Sequence, residues 1–363
     1  MRLIDKFHNA FVTFTFSPAK KRGKNFLLSP LTLLSFFFKQ VVILRNQAYQ
    51  KGLLSSRKLS IPLISIGNLA VGGTGKTPTT IYLAQLFQNK GKRVGILSRG
   101  YKGTASGPIN VVSDGEKILL NPEEAGDEPF LIAQKLPQTI VLTGKDRGLV
   151  GEFAQKHFSI EAAFLDDGFQ HLKLKRDLNI LILDGQNPLG NGYLLPRGGL
   201  REPPEGIQRA DLILITHGGN NQEKIKKIIN RFSLNTPVFF ADYSPVELEH
   251  LNSQEKLPLD YLRGKDVIAL AGVAQPAYFV SLLTKMGAKI KETLFFPDHH
   301  FYHPRDLLGV NKNLILATTE KDAVKLKRFF LPNLDIFVLK VEFSIKNNEK
   351  FYDTLKKYLP SLF

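Results

Sequence analysis

The stretch Ala70–Thr77, A-V-G-G-T-G-K-T, leaves this chain little freedom in how it folds. Gly-rich backbone surrounds an anion with N–H groups only when it is held between the end of a strand and the start of a helix, where the macrodipole also favours negative charge. The flanks supply both: Ile61–Ile66 reads as a buried strand, and Thr77–Lys90 as a helix closed by Gly91. Ala70 stands where the strict pattern has Gly, a departure that the strand–loop–helix context makes good. In such a loop the backbone of Ala70, Val71, Gly72, Gly73, Thr74 and Gly75 cradles phosphates. Lys76 reaches the β- and γ-phosphates, and Thr77 offers its hydroxyl to Mg²⁺. A nucleoside triphosphate is the expected ligand.

From Ile61 onward short β-branched runs alternate with helical stretches. Strands are expected at Arg93–Leu97, Thr139–Leu142, Ile160–Leu165, Asn179–Leu183 and Asp211–Thr216, with a Gly-rich loop at Ser98–Gly107. Buried strands joined by helices predict an α/β fold, a P-loop NTPase-like, mostly parallel sheet with helices on both faces. A second, smaller α/β unit is expected to begin with extended segments near Pro237–Tyr243. It continues with a strand at Asp266–Ala271, a helix to about Met286, a strand at Leu314–Ala317 and a helix at Lys321–Phe330. The expected divisions are 1–55, 56–235 and 236–363.

The first of these holds an apolar run, Phe26–Phe38, that resumes as V-V-I-L before Arg45. Ser29 and Pro30 suit an N-cap and first helical position, so a helix from about Pro30 to Gln50 is expected. Lys39 interrupts the roughly 20 apolar residues that a bilayer span requires. Two readings remain: an amphipathic core helix, or a helix lying in the membrane interface with Lys20, Lys21, Arg22 and Lys24 against anionic headgroups.

Lys and Arg outnumber Asp and Glu by 49 to 33, a formal charge of +16, so acidic partners are expected. Zinc-finger spacing, an RNP-type aromatic strand and a basic zipper are all missing, so nucleic acid is not among the expected partners. The chain has no cysteine, which excludes disulfides, thiolate metal sites and a Cys nucleophile.

A P-loop needs a carboxylate at the end of a neighbouring strand to hold its metal. The strongest candidates are Asp166 and Asp167 in F-L-D-D-G, followed at once by Gln170 and His171; either Asp could instead cap a turn. Asp127 in A-G-D-E-P suits a helix N-terminus and equally a general base that deprotonates an attacking hydroxyl. In P-D-H-H-F-Y-H, Pro297–His303, three of the eight histidines cluster. With no thiolate or H-E-x-x-H helix to complete a zinc site, proton transfer beside a carboxylate fits better. Arg147 in G-K-D-R-G, and Arg197, Arg201 and Glu202 in L-P-R-G-G-L-R-E-P, sit in loops where Arg can grip phosphate.

Taken in order, I-G-N-L-A-V-G-G-T-G-K-T-P, L-S-R-G-Y, G-D-E-P, D-D-G-F-Q-H, L-P-R-G-G-L-R-E, A-G-V-A-Q-P, D-H-H and T-T-E-K-D-A resemble one family, tetraacyldisaccharide 4'-kinase, the lipid A kinase of Gram-negative bacteria. The resemblance implies transfer of the γ-phosphate of ATP to the 4'-hydroxyl of a tetraacylated glucosamine disaccharide 1-phosphate, giving lipid IVA. It implies that Lys76 and Thr77 carry ATP and Mg²⁺, with Asp166, Asp167 and Glu202 in the metal region. It further implies that Asp127 and His299 form an acid/base pair and that Arg147, Gln170, His171 and Arg201 occupy active-site positions. His299, directly after Asp298, is preferred to His300. The family also implies a monotopic enzyme at the cytoplasmic face of the inner membrane. A different class, a P-loop switch or ATPase with water as acceptor, would share the nucleotide site.

Overall fold

The computed structural model describes residues 29–219, 221–329, 331 and 334–363. Lys20, Lys21, Arg22, Lys24 and the first three residues of the apolar run lie outside them. In chain order the elements are helix α1 (Ser29–Gln50), strand β1 (Leu63–Asn68), α2 (Lys76–Gln88), β2 (Val94–Ser98), β3 (Asn110–Asp114), α3 (Pro122–Ala125), α4 (Asp127–Lys135) and β4 (Ile140–Thr143). Next come α5 (Arg147–Phe158), β5 (Ala162–Asp166), β6 (Leu178–Asp184), β7 (Leu212–Thr216), α6 (Gln222–Ile229), β8 (Val238–His250) and β9 (Lys256–Leu257). The chain closes with β10 (Asp266–Ala271), α7 (Pro276–Lys285), β11 (Lys289–Phe295), β12 (Ile315–Thr319), α8 (Glu320–Leu326), β13 (Ile336–Ile345) and α9 (Asn348–Tyr358).

These elements form two compact units. One takes the chain up to Leu97, then Asp146–Asp242 and Ile345–Phe363; the other takes Ser98–Lys145 and Tyr243–Ser344. The expected strand Asp266–Ala271 is found with those bounds. The extended segment expected at Pro237–Tyr243 runs on to His250, and the helix expected at Lys321–Phe330 ends at Leu326.

In the first unit six strands lie in the order β8-β7-β6-β1-β5-β2, with every neighbouring pair parallel. All residues of β1, β2, β5, β6 and β7 are buried. Burial on both faces is why these strands read as largely apolar runs instead of alternating ones. Parallel register carries chemistry to one edge: Asp166 is paired with Ile66 near the end of β1, and Asp184 with Thr216. Ligands of open parallel sheets bind at that carboxyl edge.

Helix α1 belongs to this unit and has two dissimilar faces. Ser35 and Val42 are buried, the Ser35 hydroxyl donates to the Leu194 carbonyl at 2.8 Å, and Phe38 packs on the core around Leu69, Phe169 and Leu200. Leu33, Leu34, Phe36, Phe37, Val41 and Leu44 are each more than half exposed. Among the described residues no helix is long and apolar enough to cross a membrane.

The P-loop strand approaches the D-D-G-F loop so closely that only glycine fits at one position. A Cβ on Gly67 would lie 2.6 Å from the Phe169 amide nitrogen and 2.7 Å from the Phe169 Cβ. Backbone cannot swing aside as a side chain tip can. Gly67→Ala is therefore expected to destabilise the first unit by about 1–3 kcal/mol, read as a lowered midpoint in urea unfolding with an unchanged slope. A midpoint equal to wild type would refute the close approach.

In the second unit β11-β10-β12-β13 form a parallel set, and β3 pairs antiparallel with β4. Its core gathers Val267, Ala269, Leu283, Ala317 and Phe337 on one side of the strands, and Ile268, Leu270, Tyr302, Leu316 and Val338 on the other. Helix α4 packs on α8, their flanks joined by ion pairs from Lys135 to Glu320 and from Lys321 to Glu128.

Candidate active site

The sequence candidates gather into two clusters, one in each unit. The first is built on the P-loop. Gly72 and Gly75 have φ of 117° and 90°, values open to glycine and strained for other residues. Gly75 is also the N-cap of α2, with no side chain capping the helix. The N–H groups of the first turn therefore have no capping acceptor, the arrangement that favours an anion. The loop is pinned from three sides. Ala70 forms a bridge with Leu200, Val71 N donates to Gly199 O at 2.8 Å, and the Thr74 carbonyl accepts from Thr216 Oγ1 at 2.8 Å. Asn68 Nδ2 donates to Thr74 Oγ1 at 2.9 Å. Gly72 and Gly73 remain exposed, while Lys76 and Thr77 are buried at the helix start.

Opposite the loop stand the two aspartates that end β5. Asp166 is buried and accepts from Thr80 Oγ1 at 3.2 Å. Asp167, at φ 52°, turns out of the strand. Its carboxylate lies 3.8 Å from Lys76 Nζ and accepts from Arg201 Nη1 at 2.8 Å. Burial alone would push the Asp167 carboxyl up, but Lys76, Arg201 and Arg147 outweigh it and hold the group below the usual carboxylate range. It is an anion framed by cations.

Arg147 begins α5, whose N-cap Asp146 accepts from Gly148 N and Leu149 N at 2.9 and 3.2 Å. His171 lies among Arg147 and Arg176; burial first, then these two charges, bring its pKa down to about 4. It is neutral at physiological pH.

Glu202 has a different setting from the aspartates. Its side chain is wholly buried, and its oxygens accept from Arg209 Nη2 at 2.6 Å, Gln170 Nε2 at 2.7 Å and Asn46 Nδ2 at 3.2 Å. Gln170 also donates to the Asn68 carbonyl at 2.7 Å, and its own carbonyl accepts from Arg45 Nη2 at 3.3 Å. Arg45, Asn46, Arg176 and Arg209 were not singled out in the sequence. Arg45 and Asn46 looked like the polar end of an apolar helix, and nothing local marks the partner more than a hundred residues away.

The second cluster assembles at the start of α4. Gly126, at φ 89° and ψ 153°, turns the chain so that Asp127 begins the helix. His299, at φ 59°, presents Nδ1 3.4 Å from Asp127 Oδ2. His300 faces elsewhere: its Nε2 is 2.9 Å from Asp306 and its ring stacks on Phe296. Of the three histidines in this segment, His299 is the one beside Asp127. Burial pushes the Asp127 carboxyl up, yet His299, Lys325 and Lys321 together hold it below the usual range. Tyr101 meets the His299 ring edge-on at 5.4 Å, and Lys102 Nζ donates to the His299 carbonyl at 3.1 Å.

A half-buried anion with a histidine at its side can accept a proton from a hydroxyl, and an exposed glycine cradle ending in a lysine can hold a triphosphate. Comparison with known proteins agrees. The family described as tetraacyldisaccharide-1-P 4'-kinase matches residues 26–360. Tetraacyldisaccharide 4'-kinase of Syntrophus aciditrophicus is 40% identical over 350 residues, covering 92% of this chain and 93% of that protein. The enzyme of Desulfatibacillum aliphaticivorans is 40% identical over 338 residues, covering 91% and 92%. The crystal structure of LpxK from Aquifex aeolicus in complex with ATP superposes with a TM-score of 0.74 at 37% identity, covering 92% of this chain and 99% of that one. This chain therefore belongs to the tetraacyldisaccharide-1-P 4'-kinase family.

Proposed function

We propose that the protein transfers the γ-phosphate of ATP to the 4'-hydroxyl of a tetraacylated glucosamine disaccharide 1-phosphate at the cytoplasmic face of the inner membrane. The observation that carries the reading is the half-buried Asp127–His299 pair at 3.4 Å. In phosphoryl transfer most of the catalysis is positioning and charge, and a carboxylate that orients and deprotonates the acceptor is the remaining requirement. Membership of the family favours a sugar hydroxyl over water as that acceptor.

In this reading the backbone from Ala70 to Gly75 holds the ATP phosphates, and Lys76 meets the β- and γ-phosphate oxygens. Arg147 and Arg201 add charge around Asp167. Asp127 takes the proton of the 4'-hydroxyl, and His299 orients Asp127. Gln170 and His171 stand beside this site, Gln170 bonded to Glu202 and His171 next to Arg147 and Arg176.

The Thr77 hydroxyl and the carboxylates of Asp166 and Asp167 are hard oxygen donors of the kind Mg²⁺ takes. Asp167 is held ionised by its cationic neighbours, so the donor set fits. Mg²⁺ characteristically keeps phosphate and water ligands beside one or two carboxylates. When bound, Mg²⁺ would neutralise charge on the transferring phosphate. Glu202, grouped with the metal ligands by resemblance, is committed to Arg209, Gln170 and Asn46; we assign it to holding Gln170 in place.

The exposed row Leu34, Phe37, Val41 and Leu44 suits the lipid surface on which a four-chain substrate resides, since each buried CH₂ is worth about 0.8 kcal/mol. Serine at these four positions is expected to release the protein from anionic vesicles in co-sedimentation while leaving its unfolding midpoint near wild type. Retention on vesicles would overturn the assignment.

The function itself is tested by thin-layer chromatography of labelled phosphate after incubation with ATP, Mg²⁺ and the disaccharide lipid. Label on the lipid is expected. Label only in free phosphate would overturn the kinase reading in favour of an ATPase.

A further inference from the structure

Helix α8 carries two ammonium groups, Lys325 buried and Lys321 half-buried, four residues apart and so on one face. Taking a lysine charge out of water costs several kcal/mol unless it is closely paired. Neither residue has a part in the phosphate cradle.

Lys325 is 4% exposed, and its Nζ lies 3.3 Å from Asp127 Oδ2 and 3.3 Å from Asp322 Oδ1. Asp322 is itself held by three hydrogen bonds. It accepts from Gly272 N at 2.9 Å, Thr319 Oγ1 at 2.7 Å and Tyr302 OH at 3.0 Å. Lys325 is thereby hung on a fixed carboxylate and aimed at Asp127.

Lys321 Nζ donates to Asp298 Oδ1 at 3.0 Å and to Glu128 Oε1 at 3.2 Å, and it lies 3.3 Å from His299 Nε2. An ammonium has only donors, so the ring nitrogen facing it must be the acceptor. The imidazole proton then belongs on Nδ1, the nitrogen that faces Asp127.

We propose that Lys321 and Lys325 are positioning residues for the Asp127–His299 pair: Lys321 fixes His299 as the Nδ1–H tautomer, and Lys325 is the counter-charge that holds and aims the Asp127 carboxylate. The inference rests on the kinase reading of the pair given above. The charged groups facing Asp127 are Glu128 on its own helix, Asp298 and His299 on the segment before Tyr302, and Lys321, Asp322 and Lys325 on α8, with the Tyr302 hydroxyl nearby. Burial pushes the Asp127 proton affinity up. The two ammonium groups and the histidine contact prevail, and the carboxyl stays below its usual range.

Removing a cation beside a carboxylate raises its pKa, so the acid limb of activity moves to higher pH. With the full chain in lipid micelles, ATP, Mg²⁺ and the disaccharide substrate, Lys325→Met is expected to shift the acid limb of kcat upward by about 1 pH unit or more. Lys325→Arg should restore it. A side chain that merely filled space would lower activity without moving that limb, and a folded Lys325→Met with the wild-type limb overturns the role given to Lys325. The tautomer is read on the wild-type protein, where no variant has to fold. ¹⁵N shifts of the His299 ring should show a protonated Nδ1 and a bare Nε2 at neutral pH, and Lys321→Gln should mix the two. Protonation at Nε2 in the wild type overturns the role of Lys321. Wild-type protein that transfers no label to the lipid would instead overturn the kinase reading, so the two failures are distinguishable.

Discussion

Asp127→Asn is expected to bind ATP nearly as wild type does while transferring phosphate about 10²–10⁴-fold more slowly. The amide preserves the shape of the side chain and the start of α4, but it can accept no proton from a sugar hydroxyl. His299, 3.4 Å away, cannot stand in at once, because its Nε2 faces the Lys321 ammonium. Equilibrium binding of a labelled ATP analogue and single-turnover transfer separate the two effects. If binding falls as far as transfer, Asp127 is a structural residue of its helix and the base lies elsewhere. Some loss of stability is also expected, since Lys325 keeps Asp322 as a partner but loses the charge of Asp127. That loss can be read independently from thermal unfolding.

Lys76→Met should be at least as damaging and in a different way. The methionine chain fills the same volume against the loop, yet it removes the only side-chain charge that begins α2. Deleting one preorganised charge contact to a transferring phosphate costs about 10²–10³-fold in rate, and here ATP affinity should fall as well. A second consequence arises in the empty cradle. Lys76 is the leading counter-charge to Asp167, so its removal raises the Asp167 pKa. A carboxyl depressed in the folded state stabilises the fold above its ordinary pKa and loses that contribution as pH falls through the folded value. The variant should therefore lose part of the wild-type stability at neutral pH, with the gap closing in acid. Wild-type transfer rates in Lys76→Met would overturn the P-loop assignment outright.

The sequence disclosed the parallel core well because β1, β5, β6 and β7 are buried on both faces and consist of apolar residues with little else. The P-loop was legible for a similar reason: a phosphate cradle needs glycine at fixed places, and Gly72 and Gly75 adopt the backbone angles that require it. Strands β3 and β13 were not anticipated, and β11 only as an unbounded strand before Pro297. β11 reads K-I-K-E-T-L-F, largely exposed and charged, with a pattern shared by surface helices. The grouping of Ser98–Lys145 with Tyr243–Ser344 was also illegible, because a contact between α4 and α8 leaves no trace in local composition. The same limit applied to the site. Asp127 and the histidines of Pro297–His303 stood out locally, but they were paired only through the order of motifs, since no spacing rule joins positions so far apart. Lys321 and Lys325 were overlooked although T-T-E-K-D-A-V-K holds both at i, i+4, a spacing that places two cations on one side of a helix.

Helix α1 carries a practical consequence for anyone wishing to handle the protein without detergent. Its outward row of apolar side chains invites truncation, yet its last turns supply Arg45 to the Gln170 carbonyl and Asn46 to the Glu202 carboxylate. Cutting the helix away would take out two polar contacts to the Gln170–Glu202 cluster along with the apolar surface. Repainting the outer face residue by residue, with the inward struts left in place, is the route to a water-loving enzyme that still has its floor.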